Sequence, residues 1–138
     1  MSAVIRVSTS GEGDMRDMTD SVAGAVRQSG VRDGIVTAFV IGSTAAITTI
    51  EFEPGLREDM PAALERVAPR DAHYAHEATW HDDNGHSHIR ASMIGPSLTV
   101  PVVDGRLTLG TWQQIVLLEF DTRPRDRQVV VQVIGERR

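Results

Sequence analysis

The sequence has 138 residues, 41% of them hydrophobic, which suits one domain with a buried core better than two. Its 19 acidic and 14 basic residues, all of the latter arginine, leave a net charge of −5, so general nucleic-acid binding is not expected. The lack of cysteine excludes disulfides, thiolate metal sites and cysteine nucleophiles. No apolar run is long enough to span a membrane and the N-terminus does not resemble a signal peptide, so we expect a soluble cytoplasmic protein.

The first half of the chain alternates between strand and helix patterns. The expected elements are a strand at 4–9, a turn at 11–14, a helix at 19–28, strands at 34–41 and 45–52, and a helix at 56–67. Thr19 or Asp20 is expected to cap the first helix and Gly30 to end it. The two central strands are separated at Gly42 and form either a hairpin or one long bent strand.

The second half reads mainly as strands joined by short turns. Residues 89–94 fit a helix that begins after Asn84 and ends at Gly95, which is favoured over a strand. Further strands are expected at 98–103, 106–109, 114–121 and 128–134, with a tight turn at 104–105 and an arginine-rich turn at 122–127. The whole pattern, with two or three helices, predicts a single α+β domain over residues 1–138, built mostly on antiparallel sheet.

All five histidines fall within sixteen residues. They are His73, His76, His81, His86 and His88, in the segment HYAHEATWHDDNGHSH. Imidazole binds zinc and related metals and exchanges protons near neutral pH, although such a segment can also be a solvated loop. On a helix, His86 and His88 point about 200° apart, so at most one of them would face a given site.

Arginines and carboxylates offer further candidates. The turn at 122–127 carries three arginines, whose guanidinium groups suit phosphate; an ordinary charged hairpin turn, neutralised by Asp121 and Asp126, is the favoured alternative. Glu51 and Glu119 lie in apolar strands, where a buried carboxylate must find an arginine or a metal unless it faces solvent. Trp112 either lines a pocket or simply packs.

Four stretches carry a resemblance to a known family. They are STAAITTIE at 43–51, YAHE at 74–77, HSHIRASMIGPSLTVPV at 86–102 and GRLTLGTWQQIVLLEFDTRPRDRQVVVQVIGE at 105–136. On these residues the chain resembles the YjbQ family of small bacterial and archaeal proteins over nearly its whole length. The resemblance implies an α+β domain that assembles as a homotrimer. Some members are named secondary thiamine-phosphate synthases for a weak activity that does not fix their physiological reaction.

The resemblance also implies site residues. Positions matching the family's motifs are Glu51, His76 in Tyr-x-His, His88 in (Ala/Ser)-His-(Ile/Leu)-(Lys/Arg), the pair Trp112 and Gln113, and the acidic strand end with its arginine turn, Glu119, Arg125 and Arg127. Many members have a histidine where this chain has Gly42, and His86 is a candidate local replacement for it.

We therefore expect a small enzyme that resembles secondary thiamine-phosphate synthases and binds a phosphorylated metabolite. The catalytic candidates are His76, His88, Glu51 and Glu119; the ligand-binding candidates are Arg90, Trp112, Gln113, Arg125, Arg127, Asn84, Ser43 and Thr44; and a divalent metal (Zn, Mn, Mg or Ni) is expected at His76, His86 and His88. The alternatives are a metal-dependent hydrolase or transferase of another substrate, and a non-catalytic protein that binds a metabolite or a metal.

Overall fold

The structure, a computed structural model, describes residues 1–137. Its elements are β1 (Ser2–Ser8), β2 (Met15–Asp17), α1 (Thr19–Ser29), β3 (Asp33–Ile41), β4 (Ala45–Ile50), α2 (Pro54–Val67), α3 (Ala75–Trp80), α4 (Gly85–Ile94), β5 (Ser97–Val103), β6 (Arg106–Leu107), β7 (Gln114–Glu119) and β8 (Asp126–Glu136). The strands form a five-stranded sheet in the order β1-β8-β3-β5-β6 and a three-stranded sheet in the order β2-β7-β4. Every strand pair is antiparallel.

This architecture confirms the predicted α+β class and corrects several details. Within residues 1–137 there are four helices rather than two or three, because the short helix α3 was not expected. The strands β3 and β4 belong to different sheets, so the hairpin alternative is wrong. The strand β4 ends at Ile50, which places Glu51 outside it, and α2 begins at Pro54 because the Glu53 carboxylate accepts hydrogen bonds from the first N–H groups of that helix.

The predictions for the other two long helices fare differently. The predicted cap of α1 is wrong: Met18 occupies the N-cap, and the Thr19 hydroxyl instead accepts a hydrogen bond from the Ile115 N–H, at 2.9 Å. The predicted end of α1 is confirmed, since Gly30 follows it in the left-handed conformation with φ of 72°. The helix expected after Asn84 is also confirmed as α4.

The three-stranded sheet lies between two hydrophobic clusters. One cluster joins α1 to both sheets, and the other joins the three-stranded sheet to α2 and α4 through residues such as Leu64, Ala91 and Phe120. The apolar run in β7 is therefore buried on both faces from Ile115 onward. None of the helices in residues 1–137 is both long and apolar enough to cross a membrane.

One face of the five-stranded sheet is exposed. Alternate residues of β3 point outward, and Phe39 and Ile41 are 44% and 51% exposed. Val130 of β8 is paired with both Val4 and Phe39, which places these three side chains in one row across the sheet. Ile134 lies in another apolar row and is 60% exposed. This face is an uncovered apolar surface on an otherwise acidic chain.

Candidate functional site

The helices α3 and α4 bring two of the predicted histidines together. His76 on α3 and His88 on α4 have ring centroids 4.5 Å apart and ring planes tilted by 54°. The helices pack closely because Gly85 begins α4 against Tyr74, where a Cβ atom would lie 2.5 Å from the Tyr74 Cβ. The Glu77 carboxylate accepts the Gly85 N–H at 2.7 Å and so joins the two helices.

Two oxygen atoms orient the His76 ring. Its Nε2 atom lies 2.9 Å from Asp82 Oδ1 and 3.0 Å from Asn84 Oδ1. Asn84 Oδ1 forms the hydrogen bond with Nε2, whereas Asp82 Oδ1 lies at ion-pair distance without hydrogen-bond geometry, so Nδ1 is the nitrogen left to exchange a proton. His88 is only partly buried and makes no side-chain hydrogen bond with residues 1–137, so its imidazole is available to a ligand.

Asp121 is the next member of the site and is nearly inaccessible to solvent. Its carboxylate accepts hydrogen bonds from Thr44 Oγ1 at 3.0 Å and Arg125 Nε at 2.8 Å. The Asn84 side-chain amide also donates to it, at 3.5 Å, which connects Asp121 to His76. Burial raises the pKa of Asp121, but the hydrogen bonds from Thr44 and Arg125 and the charge of Arg125 outweigh burial and hold the pKa below its ordinary value.

A buried ion pair extends this arrangement to the end of β7. Glu119 Oε1 accepts hydrogen bonds from Arg127 Nε at 2.8 Å and from Thr9 Oγ1 at 2.7 Å. Arg127 Nη2 bonds the other Glu119 oxygen and also donates to Thr44 Oγ1 at 2.7 Å. Thr44 therefore links the Glu119–Arg127 pair to Asp121. We call these side chains the polar network: Thr9, Thr44, His76, Asp82, Asn84, His88, Glu119, Asp121, Arg125 and Arg127.

The polar network contains most of the predicted site and adds residues that were missed. Thr9 gave no signal in the sequence, and Asp121 was noted only as a charge that could neutralise the arginine turn. Asp121 does neutralise an arginine of the turn, because it pairs with Arg125. Asp126, the other aspartate expected to do so, accepts a hydrogen bond from Ser8 instead, at 2.8 Å. Ser43, also a candidate, is exposed and makes no side-chain hydrogen bond with residues 1–137.

The arginine turn connects the two sheets and is not a hairpin turn. Arg125 places both Nε and Nη2 on Asp121, and the Arg127 side chain is buried against Glu119. Arg90, the third predicted phosphate ligand, donates to Glu65 at 2.7 Å and to a backbone carbonyl of the α2–α3 connection. Each of the three arginines therefore already has a carboxylate partner, and Arg90 is separate from the other two.

His86 lies on a different face of α4 from His88. Its ring is buried, and its Nε2 atom forms a very short hydrogen bond with Glu12, which also pairs with Arg70 at 2.7 Å. This separation confirms that the two histidines face different sites. His76, His86 and His88 consequently do not form one coordination sphere, and within residues 1–137 no three His, Asp or Glu side chains are placed to hold a metal ion. A divalent metal stays a prediction that does not fit this histidine set.

A second group of predicted residues lies at the far end of the three-stranded sheet. Ala45 pairs with Glu119 at one end of β4, and Ile50 pairs with Gln114 at the other. The five residue steps from Ala45 to Ile50 span about 17 Å at the usual rise of a strand. Glu51, Trp112 and Gln113 are therefore far from the histidine pair within one chain. Trp112 is 71% exposed, and the Gln113 amide donates to Thr49 at 3.2 Å.

Gly42, where the family resemblance implies a histidine in many members, lies against the buried ion pair. Its φ is +128°, which side chains rarely tolerate, and a Cβ atom there would lie 2.6 Å from Arg127 Nη1. The backbone conformation and the position of Arg127 together explain glycine at this site. His86 pairs with Glu12 and does not serve as a local replacement for an imidazole at Gly42.

The chain was compared with known proteins. A family model described as UPF0047 protein YjbQ-like matches residues 3–136. A UPF0047 protein of Methanothermobacter thermautotrophicus is 43% identical over 128 residues, which cover 93% of this chain and 87% of that protein. A YbjQ-like protein of unknown function from Sulfolobus solfataricus has a crystal structure that matches with a TM-score of 0.92 and 36% identity, covering 99% of this chain and 97% of that one. A YjbQ/UPF0047 family protein of Clostridium acetobutylicum matches with a TM-score of 0.86 and 36% identity, over 96% and 99% of the two chains.

Proposed function

This chain belongs to the UPF0047 family of YjbQ-like proteins, and on that premise we propose that it is an enzyme in which His76 and His88 exchange protons with a phosphorylated small molecule. The observation that carries the proposal is the orientation of His76 by Asp82 and Asn84, with the His88 ring beside it. An imidazole hydrogen-bonded to Asn84 and close to the Asp82 carboxylate, next to a second and partly accessible imidazole, is an arrangement suited to general acid–base chemistry.

The reaction class we propose is the transfer that the resemblance implies. A thiazole-phosphate nitrogen forms a bond to the methylene carbon of a pyrimidine methyl diphosphate, while the bond from that carbon to the diphosphate oxygen breaks. Pyrophosphate leaves with the bonding electrons, and the thiazole nitrogen becomes cationic. His76 would donate an Nδ1 proton to the departing oxygen, because its Nε2 is engaged by Asn84.

Other residues of the polar network hold the His76 side chain in position. The Asn84 side chain joins His76 to Asp121, and Asp121 is in turn held by Thr44 and Arg125. Such a fixed surrounding keeps the imidazole in one orientation before the substrate arrives, which is what proton transfer requires. In this proposal Asp121 is a positioning residue, and within the polar network only the two histidines touch the substrate.

We further propose that the complete pocket forms between copies of the chain in a homotrimer. Two features support this assembly. Glu51, Trp112 and Gln113 are about 17 Å from the Glu119 end of the sheet by the strand register, so a neighbouring copy would have to supply them. The apolar rows on the exposed face of the five-stranded sheet are also a surface that association would bury.

The proposal predicts that His76→Gln and His88→Gln each lower the rate of thiamine-phosphate formation by about 100-fold or more, since each removes a proton-transferring group. The assay would use the pyrimidine methyl diphosphate and the thiazole phosphate and would follow pyrophosphate release. His73→Gln and His81→Gln are matched controls, because both histidines are exposed in the same segment. Wild-type rates in both His76 and His88 variants, with the fold intact, would refute the histidine chemistry.

Mixing two inactive variants tests the shared pocket. Co-expression of a His88→Gln chain with a Gln113→Ala chain is expected to restore about a quarter of the wild-type rate, because that fraction of interfaces in random trimers combines two intact contributions. Each variant alone is the control. Failure to restore activity in trimers shown by light scattering to be mixed would place the whole pocket in one copy.

A further inference from the structure

Most of the arginines that form ion pairs within residues 1–137 are held by nearby carboxylates. Apart from Arg32, six have a carboxylate oxygen within 3.7 Å: Arg16, Arg70, Arg90, Arg123, Arg125 and Arg127. Arg27 and Arg106 have no ion pair with any of residues 1–137, and Arg32 has only a long one, 3.7 Å from Asp104. These three arginines line the same groove.

The groove lies at the Gln114 end of β7, whereas the polar network lies at its Glu119 end. Its walls are the C-terminal half of α1, the start of β3, the turn between β5 and β6, and the segment that leads into β7. Its volume is about 980 Å³, which is ample for a metabolite. Thr19, Thr111 and Gln113 add polar side chains to the lining, so the groove takes in one of the ligand-binding residues expected from the sequence.

The backbone holds one of the three guanidinium groups in place. The turn between β5 and β6 is bonded to Arg32, whose carbonyl oxygen accepts the Gly105 N–H at 2.8 Å. The Arg32 guanidinium lies directly over Gly105, where a Cβ atom would be 3.2 Å from Nη1. Gly105, with φ of +77°, thus lets Arg32 pack on the turn that also carries Arg106.

We propose that this groove binds the diphosphate of a small molecule through Arg27, Arg32 and Arg106. Three guanidinium groups in one groove, two of them without a carboxylate partner, form a cationic site on a chain whose net charge is −5. Guanidinium groups bind phosphate oxygens with two parallel hydrogen bonds, so three of them suit a multiply charged anion.

This inference rests on the proposed function and its trimer, in which a neighbouring copy would present the groove, with Gln113 in its lining, to the histidine pair. The arginines first expected to bind phosphate are already engaged: Arg125 by Asp121, Arg127 by Glu119 and Arg90 by Glu65. Binding phosphate there would require breaking these ion pairs, and for Arg127 it would leave the buried Glu119 carboxylate uncompensated. Arg27 and Arg106 have no ion pair with residues 1–137, so phosphate binding in the groove would not require either of them to leave a carboxylate partner.

The test is a titration of the full chain with inorganic pyrophosphate at low ionic strength, by calorimetry and by tryptophan fluorescence in a Trp80→Phe background. Trp112, between two groove residues, is then the only reporter. We expect Arg27→Gln and Arg106→Gln each to raise the pyrophosphate dissociation constant at least tenfold, as loss of a charge-assisted hydrogen bond implies. Arg6→Gln and Arg66→Gln are matched controls, since both arginines are exposed and have no ion pair with residues 1–137.

The outcomes separate this inference from the histidine chemistry. Equal weakening by the control and groove variants would show non-specific charge attraction and overturn the proposal, as would absence of binding at millimolar pyrophosphate. Weakening by Arg125→Gln but not by the groove variants would also overturn it. Full activity in the His76→Gln and His88→Gln variants, together with lost pyrophosphate binding in the groove variants, would refute the histidine role and leave the groove proposal standing.

Discussion

Replacing Arg127 with methionine is expected to lower the free energy of unfolding by about 3–5 kcal/mol, because it leaves a buried carboxylate without its cation. Glu119 is 1% exposed, and of its partners only the Thr9 hydroxyl and the Asp121 N–H would remain. Methionine approximates the length of the arginine stem, so the lost charge and hydrogen bonds dominate the effect. Urea denaturation followed by circular dichroism measures it directly.

Two further variants make this prediction specific. Arg123→Met removes an exposed arginine 3.7 Å from Asp83, and such surface pairs contribute only about 0–1 kcal/mol. Adding Glu119→Gln to Arg127→Met removes the stranded charge and should recover part of the lost stability. An Arg127→Met chain as stable as the Arg123→Met chain would mean that Glu119 is not held by this ion pair.

The sequence predicted elements best where the local pattern and the fold agree. Asn84 and Gly95 bracket α4, and both signals act within a few residues of the helix they delimit. The strand β2 has only three residues, and its pairing with β7 depends on chain far away in sequence. The helix α3 spans only Ala75–Trp80, which is too short for an apolar period to appear.

In the candidate site too, local sequence patterns were informative, whereas contacts between distant segments could not be predicted. The structure brings several of the predicted residues together, since His76, His88, Glu119 and Arg127 all belong to the polar network. What the sequence did not show is which arginine meets which carboxylate. Glu119 and Arg127 are in strands of different sheets, so neither strand alternation nor helical spacing relates them. For the turn at 122–127 the sequence favoured neutralisation by neighbouring aspartates over phosphate binding, and the fold supplies carboxylates at hydrogen-bonding distance to Arg125 and Arg127.

The same reasoning underlies the proposed diphosphate groove. Arginines beside acidic residues in sequence are attractive candidates because they cluster visibly, as Arg125 does near Asp121. Arg27 and Arg106 are far apart in sequence, and only the packing of α1 against the turn between β5 and β6 places both in one groove. An anion site is better sought among cations that the fold leaves without carboxylate partners than among those that the sequence groups.

Gly42 is the position where the buried ion pair and the family resemblance meet, and replacing it is the second large effect we expect. Gly42→Ala should cost more stability than the about 1–3 kcal/mol typical of a strained backbone, because the new Cβ atom must also displace the Arg127 guanidinium, 2.6 Å away. Gly13→Ala is the matched control: Gly13 also has positive φ, +88°, but no described atom lies within 4 Å of a Cβ there.

The difference between the two alanine variants isolates the contact with Arg127, and chemical denaturation measures both. In an Arg127→Met background that difference should shrink, since the displaced guanidinium is gone and the two effects are no longer additive. An unchanged difference would assign the cost to the backbone of Gly42 alone. A smaller difference would mean that a histidine at this position, as the resemblance implies for many family members, requires a different placement of Arg127. Gly42 and the Glu119–Arg127 ion pair would then depend on each other in this chain. The proposed acid–base chemistry would use His76 and His88 without a third imidazole at Gly42.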